Sequence, residues 1–206
     1  MDFDFTRLPE NDRYRLLTNF VGPRPIALVS TIDAEGNPNA APMSFFNVFS
    51  HEPPILIIGV QPRPDGSPKD TVANLRRSGE FVVHMVEMAI AEAMLVTGRD
   101  LPPGESELAL AGLTAAPAVQ VAAPRIAESP CAMECRVEQI IDYPRRAIIL
   151  GRVVQMYVRD DCLDTRGRYV NPEVYQPIAR LHANNYVTSD HQIVLRDPEG
   201  EAAEED

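Results

Sequence analysis

CAMECRVEQIIDYPRRAIILGRVVQMYV, residues 131–158, is the stretch that decides between fold classes. In its first half Cys131, Met133, Cys135 and Val137 alternate with Ala132, Glu134, Arg136 and Glu138. A period of two sends successive side chains to opposite faces, so Cys131 to Tyr143 reads as one strand with its cysteines facing inward. Arg146 to Val158 is patterned in the same way, and Pro144 marks a hairpin turn between them. A doubly wound parallel sheet needs regular alternation of strand and helix, and the second half of the chain lacks it.

Upstream, PIALVSTI (Pro25 to Ile32) is a strand with Ile26, Leu28 and Ser30 on one face and Ala27, Val29 and Thr31 on the other. Asp33 to Asn37 is a turn, because Gly36 and Asn37 tolerate positive φ. The return through Asn39 to Val48 completes a predicted hairpin. ILIIGV (Ile55 to Val60) is a continuous apolar run, read as a strand buried on both faces, and EFVVHMV (Glu80 to Val86) is another. Helices are predicted over Glu10 to Phe20, with Tyr14, Leu17 and Phe20 inward, and from Lys69-Asp70-Thr71 to Gly79. In the second helix Asp70 or Thr71 is the cap and Val72 and Leu75 face inward. Met88 to Thr97 and Glu105 to Leu110 are further helical stretches. The expected fold is about six strands with inserted helices: mainly β, α+β, around an antiparallel sheet or small barrel.

The 206 residues are 45% hydrophobic and 24% charged, the composition of a globular chain with a real core. Residues 1–195 read as one domain. The net charge is −11, and six of the 30 acids fall in the last ten residues, so 196–206 is expected to be an acidic, disordered tail. A mildly acidic body argues against nucleic-acid binding. No apolar run approaches the roughly 20 residues of a membrane helix. MDFDFTRLPENDRYR does not read as an export signal, so reduced thiols in a cytoplasm are the expectation for Cys131, Cys135 and Cys162.

Phosphate-loop, dinucleotide-fingerprint and nucleophile-elbow motifs are absent, and His51, His84, His182 and His191 are too scattered for a metal site. Three polar segments remain. Pro42-Met43-Ser44-Phe45-Phe46-Asn47 offers hydroxyl and amide groups beside two aromatics, suited to a flat heterocycle, or else is a strand turning into a loop. Ser67-Pro68-Lys69-Asp70-Thr71 opens a helix, where unpaired N–H groups, an ammonium and a hydroxyl attract anions, or else merely caps it. Arg180-Leu181-His182-Ala183-Asn184-Asn185-Tyr186 lines a pocket or forms an exposed edge.

In order, PRPIALVST (Pro23 to Thr31), Gly36, NAAPMSFFN (Asn39 to Asn47), PPILIIGV (Pro53 to Val60), PKDTVANLRRSGEFVVHMV (Pro68 to Val86) and the late RLHANNY resemble the flavin reductase-like family. The resemblance covers most of residues 10 to 190, and K-D-T-x-x-N-L ahead of E-F-V-V is its most specific part. It implies an FMN-binding split β-barrel, a Greek-key-like antiparallel barrel, with FMN near the interface of a homodimer. It also implies a flavin reductase that takes electrons from NADH or NADPH and has a monooxygenase or other redox protein as possible partner. A flavoredoxin-like electron carrier and a non-redox ligand-binding barrel are the alternatives. By position, Ser30, Thr31, Pro42, Met43, Ser44, Phe45, Phe46 and Asn47 become flavin-contacting candidates. Lys69 and Thr71 become candidates for the phosphate and ribityl end. Asp70 is given the helix cap, since a carboxylate repels a phosphate. Arg180, His182 and Tyr186 complete the set. Relatives often carry Gly-Gly where this chain has His182-Ala183, which makes His182 a weak catalytic candidate and leaves the electron donor open.

Overall fold

The computed structural model describes residues 1–101, 105–144 and 146–195. The predicted acidic tail, 196–206, lies outside the described residues. Helix α1 (Glu10–Phe20) is followed by β1 (Arg24–Pro25), β2 (Ala27–Ile32), β3 (Pro38–Met43), β4 (Phe46–His51) and β5 (Pro54–Val60). Then come α2 (Asp70–Ser78), β6 (Glu80–His84), α3 (Ala91–Val96), α4 (Glu107–Ala111), β7 (Ala115–Ala116) and β8 (Arg125–Ile126). The long hairpin is β9 (Cys131–Tyr143) and β10 (Arg146–Val158), with the bounds the alternation predicts, and β11 (Ile178–Arg180) and β12 (Tyr186–Thr188) close the chain.

Seven strands pair in the order β3-β2-β6-β9-β10-β5-β4, antiparallel throughout. Its two edge strands, β3 and β4, are separated in sequence only by Ser44 and Phe45. Laid flat, the six inter-strand steps of ~4.8 Å would hold those edges about 29 Å apart. Three Cα–Cα steps reach only about 11 Å. The sheet therefore has to curl until its edges meet, which makes a barrel split at Ser44-Phe45. The predicted single return strand from Asn39 to Val48 is thus two strands on opposite edges. The hydrophobic pattern carries no trace of the break, because both halves have an inward face.

Strand β2 shows how the core is divided. Ala27 and Val29 point into the barrel with Leu56, Ile58, Phe81, Val83, Cys135 and Ile149, together with Val72 and Leu75 of α2. Ile26 and Leu28 point the other way, into a second cluster with Ile90, Met94, Leu108, Ile126 and Ile178. The two-faced reading of this strand is what the structure shows, although it divides at Ile26. Arg24 and Pro25 pair instead with β11 in a small sheet, β1-β11-β12. The register shift beside Gly151 bends β10. A Cβ on Gly151 would fall on the Phe81 ring, so only glycine lets that ring fill the bend.

Several expectations need correction. The seven-stranded sheet alone exceeds the predicted six strands. ILIIGV is not buried on both faces throughout: Ile57 and Gly59 stay partly open. Helix α1 has the predicted bounds, but Tyr14, Leu17 (47% exposed) and Phe20 (80%) are not buried within the chain. Periodicity identified an apolar face without saying what covers it. The cap of α2 is Lys69, through its backbone and with no side-chain bond, while Asp70 is the first helical residue and pairs with Arg63 at 2.6 Å. Val72 and Leu75 are buried, and Gly79 ends α2 at φ 68°, as predicted.

His84 is fully buried and ties three strands together. Its Nε2 accepts the Ile126 N–H at 2.9 Å, so the ring proton is on Nδ1, which donates to the Leu28 carbonyl at 2.9 Å. Burial pushes its pKa down to about 4, and nearby Arg125 pushes in the same direction. The unfolded chain binds the proton more readily, so this stability is complete above the unfolded pKa of about 6.5 and is lost as pH falls toward 4. Urea titrations should show stability falling by about 2 kcal/mol between about pH 7 and about pH 5 from this group. His84→Gln should flatten that slope at the cost of overall stability; an unchanged slope would assign it to other groups.

Candidate functional site

A cleft of about 540 Å³ opens where the barrel splits, within the range of roughly 300–1,000 Å³ usual for small-molecule sites. One wall is the end of β3 and the crossover, from Pro42 to Phe45. A second is Gly59, Val60 and Gln61 at the end of β5, leading to Arg63 and the start of α2. The segment 97–101 after α3 and the β11–β12 hairpin, through Arg180, Asn184 and Tyr186, close it. Pro42, Met43, Ser44, Phe45, Lys69, Thr71, Arg180 and Tyr186, drawn from three separate sequence segments, meet at this one place.

The helical end of the cleft is polar and ordered. The N-terminus of α2, nine residues long and without a side-chain cap, presents Lys69, Asp70 and Thr71 to the cavity. Thr71 donates to Asn39 Oδ1 at 3.3 Å, as does Thr31. Asn39 Nδ2 donates to Glu107 Oε1 at 3.0 Å, which fixes the amide's orientation. Burial raises the pKa of the Glu107 carboxyl, and the charge of Asp70 adds to the rise. Lys69 Nζ lies 3.6 Å from Asp100 Oδ1. At the other end the surfaces are flatter: Phe45 meets Tyr14 edge to face at 6.4 Å, and Arg180 lies 6.0 Å over the Tyr186 ring.

The remaining predicted residues lie elsewhere. Ser30 and Thr31 are fully buried; Ser30 donates to the Pro124 carbonyl, and Thr31 accepts from Asn74 Nδ2 at 3.0 Å. They stand behind the cleft wall, with Thr31 reaching the cleft only through Asn39. Phe46 and Asn47 line a neighbouring groove of about 1000 Å³, and His182 lines neither cavity. His182 is exposed at the hairpin turn, where its carbonyl accepts from Asn185. Sequence reasoning missed Gln61, Arg63, Asp100 and Glu107, quoted Asn39 without giving it a role, and offered Asn184 only as part of the Arg180–Tyr186 segment. Asn39 carried a signal, as an amide inside a strand directly opposite Thr31 across the hairpin; the others depend on contacts between distant segments.

The groove beside the cleft is largely apolar and open. Tyr14, Leu17, Val21, Phe49 (74% exposed), Tyr143 and Ile148 line it. Tyr14, Ser44, Phe45, Gly59 and Gln61 belong to both cavities, so cleft and groove are continuous. Among the described residues no helix is long and apolar enough to cross a membrane.

The family model for the flavin reductase-like domain matches residues 22–177. An uncharacterized protein of Halalkalibacterium halodurans is 44% identical over 185 residues, 87% of this chain and 88% of that one. Among solved structures, the chain is similar to the 2-nitrobenzoate 2-nitroreductase of Pseudomonas fluorescens (35% identity, TM-score 0.88), covering 99% of this chain and 100% of the other. It is similar also to the nitrilotriacetate monooxygenase component B of Bacillus cereus (35% identity, TM-score 0.89), covering 95% and 98%.

Ala183 is the non-glycine residue with positive φ among the described residues, at 50°. Left-handed backbone costs a side chain roughly 1 kcal/mol, and glycine nothing. The Ala183 carbonyl also accepts from Arg180 Nε and Nη2, at 3.2 and 3.0 Å, so the turn is held from the cleft side. Ala183→Gly should therefore be neutral or stabilising by up to about 1 kcal/mol in denaturant titrations. A clear loss would show that the methyl group packs against something.

Proposed function

The chain belongs to the flavin reductase-like family, and on that footing we propose that it binds FMN in this cleft and oxidises NADH or NADPH. The observation that carries the reading is the meeting of an uncapped helix N-terminus, Lys69 and Thr71 with the Pro42–Phe45 wall in one cavity. A phosphorylated flavin needs both an anion site and a flat, partly apolar slot, and the residues present fit both needs. Lys69, the first N–H groups of α2 and the Thr71 hydroxyl, once it turns from Asn39, would hold the phosphate. Pro42, Met43 and Phe45 flank the ring system, with Ser44 and Gln61 as polar partners at its edge, and Arg180 and Tyr186 close the outer side. The flavin supplies the two-electron chemistry, and the protein supplies binding, orientation and electrostatics. No cleft residue has to act as acid, base or nucleophile in this reading.

The groove supports a homodimer. Its exposed residues Tyr14, Leu17, Val21 and Phe49 line one continuous groove and are not scattered singly, and it shares five residues with the cleft. A second copy seated on α1 and β4 also covers Tyr14 and Phe45, placing the ring end of the cleft against the interface. The likeness to a monooxygenase component B favours passing reduced flavin to a second protein. That to a nitroreductase favours direct reduction of a small molecule.

The visible spectrum of the purified protein, recorded anaerobically before and after FMN and then NADH or NADPH, tests the function. Bound flavin that bleaches with a nicotinamide is expected. Flavin that binds and stays oxidised would replace the reductase reading with a carrier, and failure to bind any flavin would remove both. For the assembly, Leu17→Asp should convert a dimer in sedimentation to monomer and weaken flavin binding with it. A wild-type protein that sediments as a monomer while retaining flavin would overturn the shared interface.

A further inference from the structure

We propose that Asp100 competes with the flavin phosphate for Lys69, and that this competition makes the cleft exchange flavin rather than retain it. The inference rests on the binding mode proposed above and adds the residue that sets its strength. At the helical end of the cleft three cations, Arg63, Lys69 and Arg99, stand among three carboxylates, Asp70, Asp100 and Glu107. A phosphate arriving there meets two cations, Arg63 and Lys69, that already face acids of the chain, Asp70 and Asp100. The N-terminus of α2 adds a partial positive charge there, with Asp70 in its first turn.

The two ion pairs differ in how readily they open. Arg63 and Asp70 lie at 2.6 Å within one short segment, and Arg63 also donates to the Pro68 carbonyl, so that pair is part of the loop's own structure. Lys69 and Asp100 come from different elements, one before α2 and one after α3. Their 3.6 Å separation is longer than a hydrogen bond, and the Asp100 side chain is 60% exposed. Exposed pairs of this kind are weak, and a freed Asp100 returns to water at little cost. A phosphate therefore displaces Asp100 and not Asp70. Once displaced, the carboxylate remains beside the bound anion and ready to return, which favours release.

The test compares dissociation constants for FMN and riboflavin, which differ only by the phosphate, in four proteins: wild type, Asp100→Asn, Lys69→Ala and the double variant. Asp100 is exposed, so its substitution does not threaten the fold. Asp100→Asn should tighten FMN by about fivefold, slow FMN dissociation and leave riboflavin unchanged. Lys69→Ala should weaken FMN selectively, and in the double variant the gain from Asp100→Asn should vanish. An Asp100→Asn protein with unchanged FMN affinity, an equal change for both flavins, or a gain that survives without Lys69 would overturn the competition while leaving the flavin site intact. Equal losses for both flavins in Lys69→Ala would overturn it by moving the phosphate elsewhere. A wild-type protein that binds neither flavin would remove the proposed function along with it.

Discussion

The two-residue link Ser44-Phe45 is the constraint from which the rest of the architecture follows. It joins the opposite edges of a seven-stranded sheet, and a chain that short can do so only if the sheet closes on itself. One backbone bond secures the junction: the Gly59 N–H donates to the Phe45 carbonyl at 2.7 Å, where β5 passes beneath the crossover. A Cβ at Gly59 would come 3.2 Å from that of Phe45, so glycine permits the close approach. Closure is incomplete at this seam, and the incompleteness is useful. The same two residues face the polar cleft on one side and the apolar groove on the other, so cleft and groove are two consequences of one gap in a barrel.

That arrangement explains which parts of the molecule were legible in the sequence. Elements whose pattern is local came through with their bounds intact: α1, and the β9–β10 hairpin with its turn at Pro144. So did the two faces of β2, because Ile26/Leu28 and Ala27/Val29 sort by parity alone. The split between β3 and β4 left no local mark, since a strand ending and another beginning two residues later look like one strand with a kink. Asp70 was assigned the helix cap on residue type. The structure instead gives its carboxylate to Arg63, seven residues earlier in a Pro/Gly-rich loop whose path the sequence does not specify.

The site was legible to the same degree. Residue chemistry picked out three segments, and the fold brings most of their members to one cavity. Ser30 and Thr31 belong to a well-marked stretch, yet their strand is covered on both faces, so their hydroxyls go to internal partners. Conversely, Asn39, Gln61, Arg63, Asp100 and Glu107 acquire their place only when α2, α3 and α4 pack over the end of β3. Their roles depend on distances between segments that no periodicity encodes.

One further side chain ties the two cavities mechanically. Arg24 is 7% exposed and donates to the carbonyls of Thr18 and Val21 at the end of α1, and to that of Leu181 in the β11–β12 hairpin. Burial lowers its pKa, against a raising contribution from Tyr14, and three main-chain oxygens with the negative end of the α1 dipole offset the cost of hiding the charge. The same residue pairs in register with Arg180 across β1 and β11. Helix α1 forms a wall of the groove, and the hairpin forms a wall of the cleft. A single buried guanidinium therefore joins the helix that walls the groove to the hairpin that presents Arg180 and Tyr186 to the cleft.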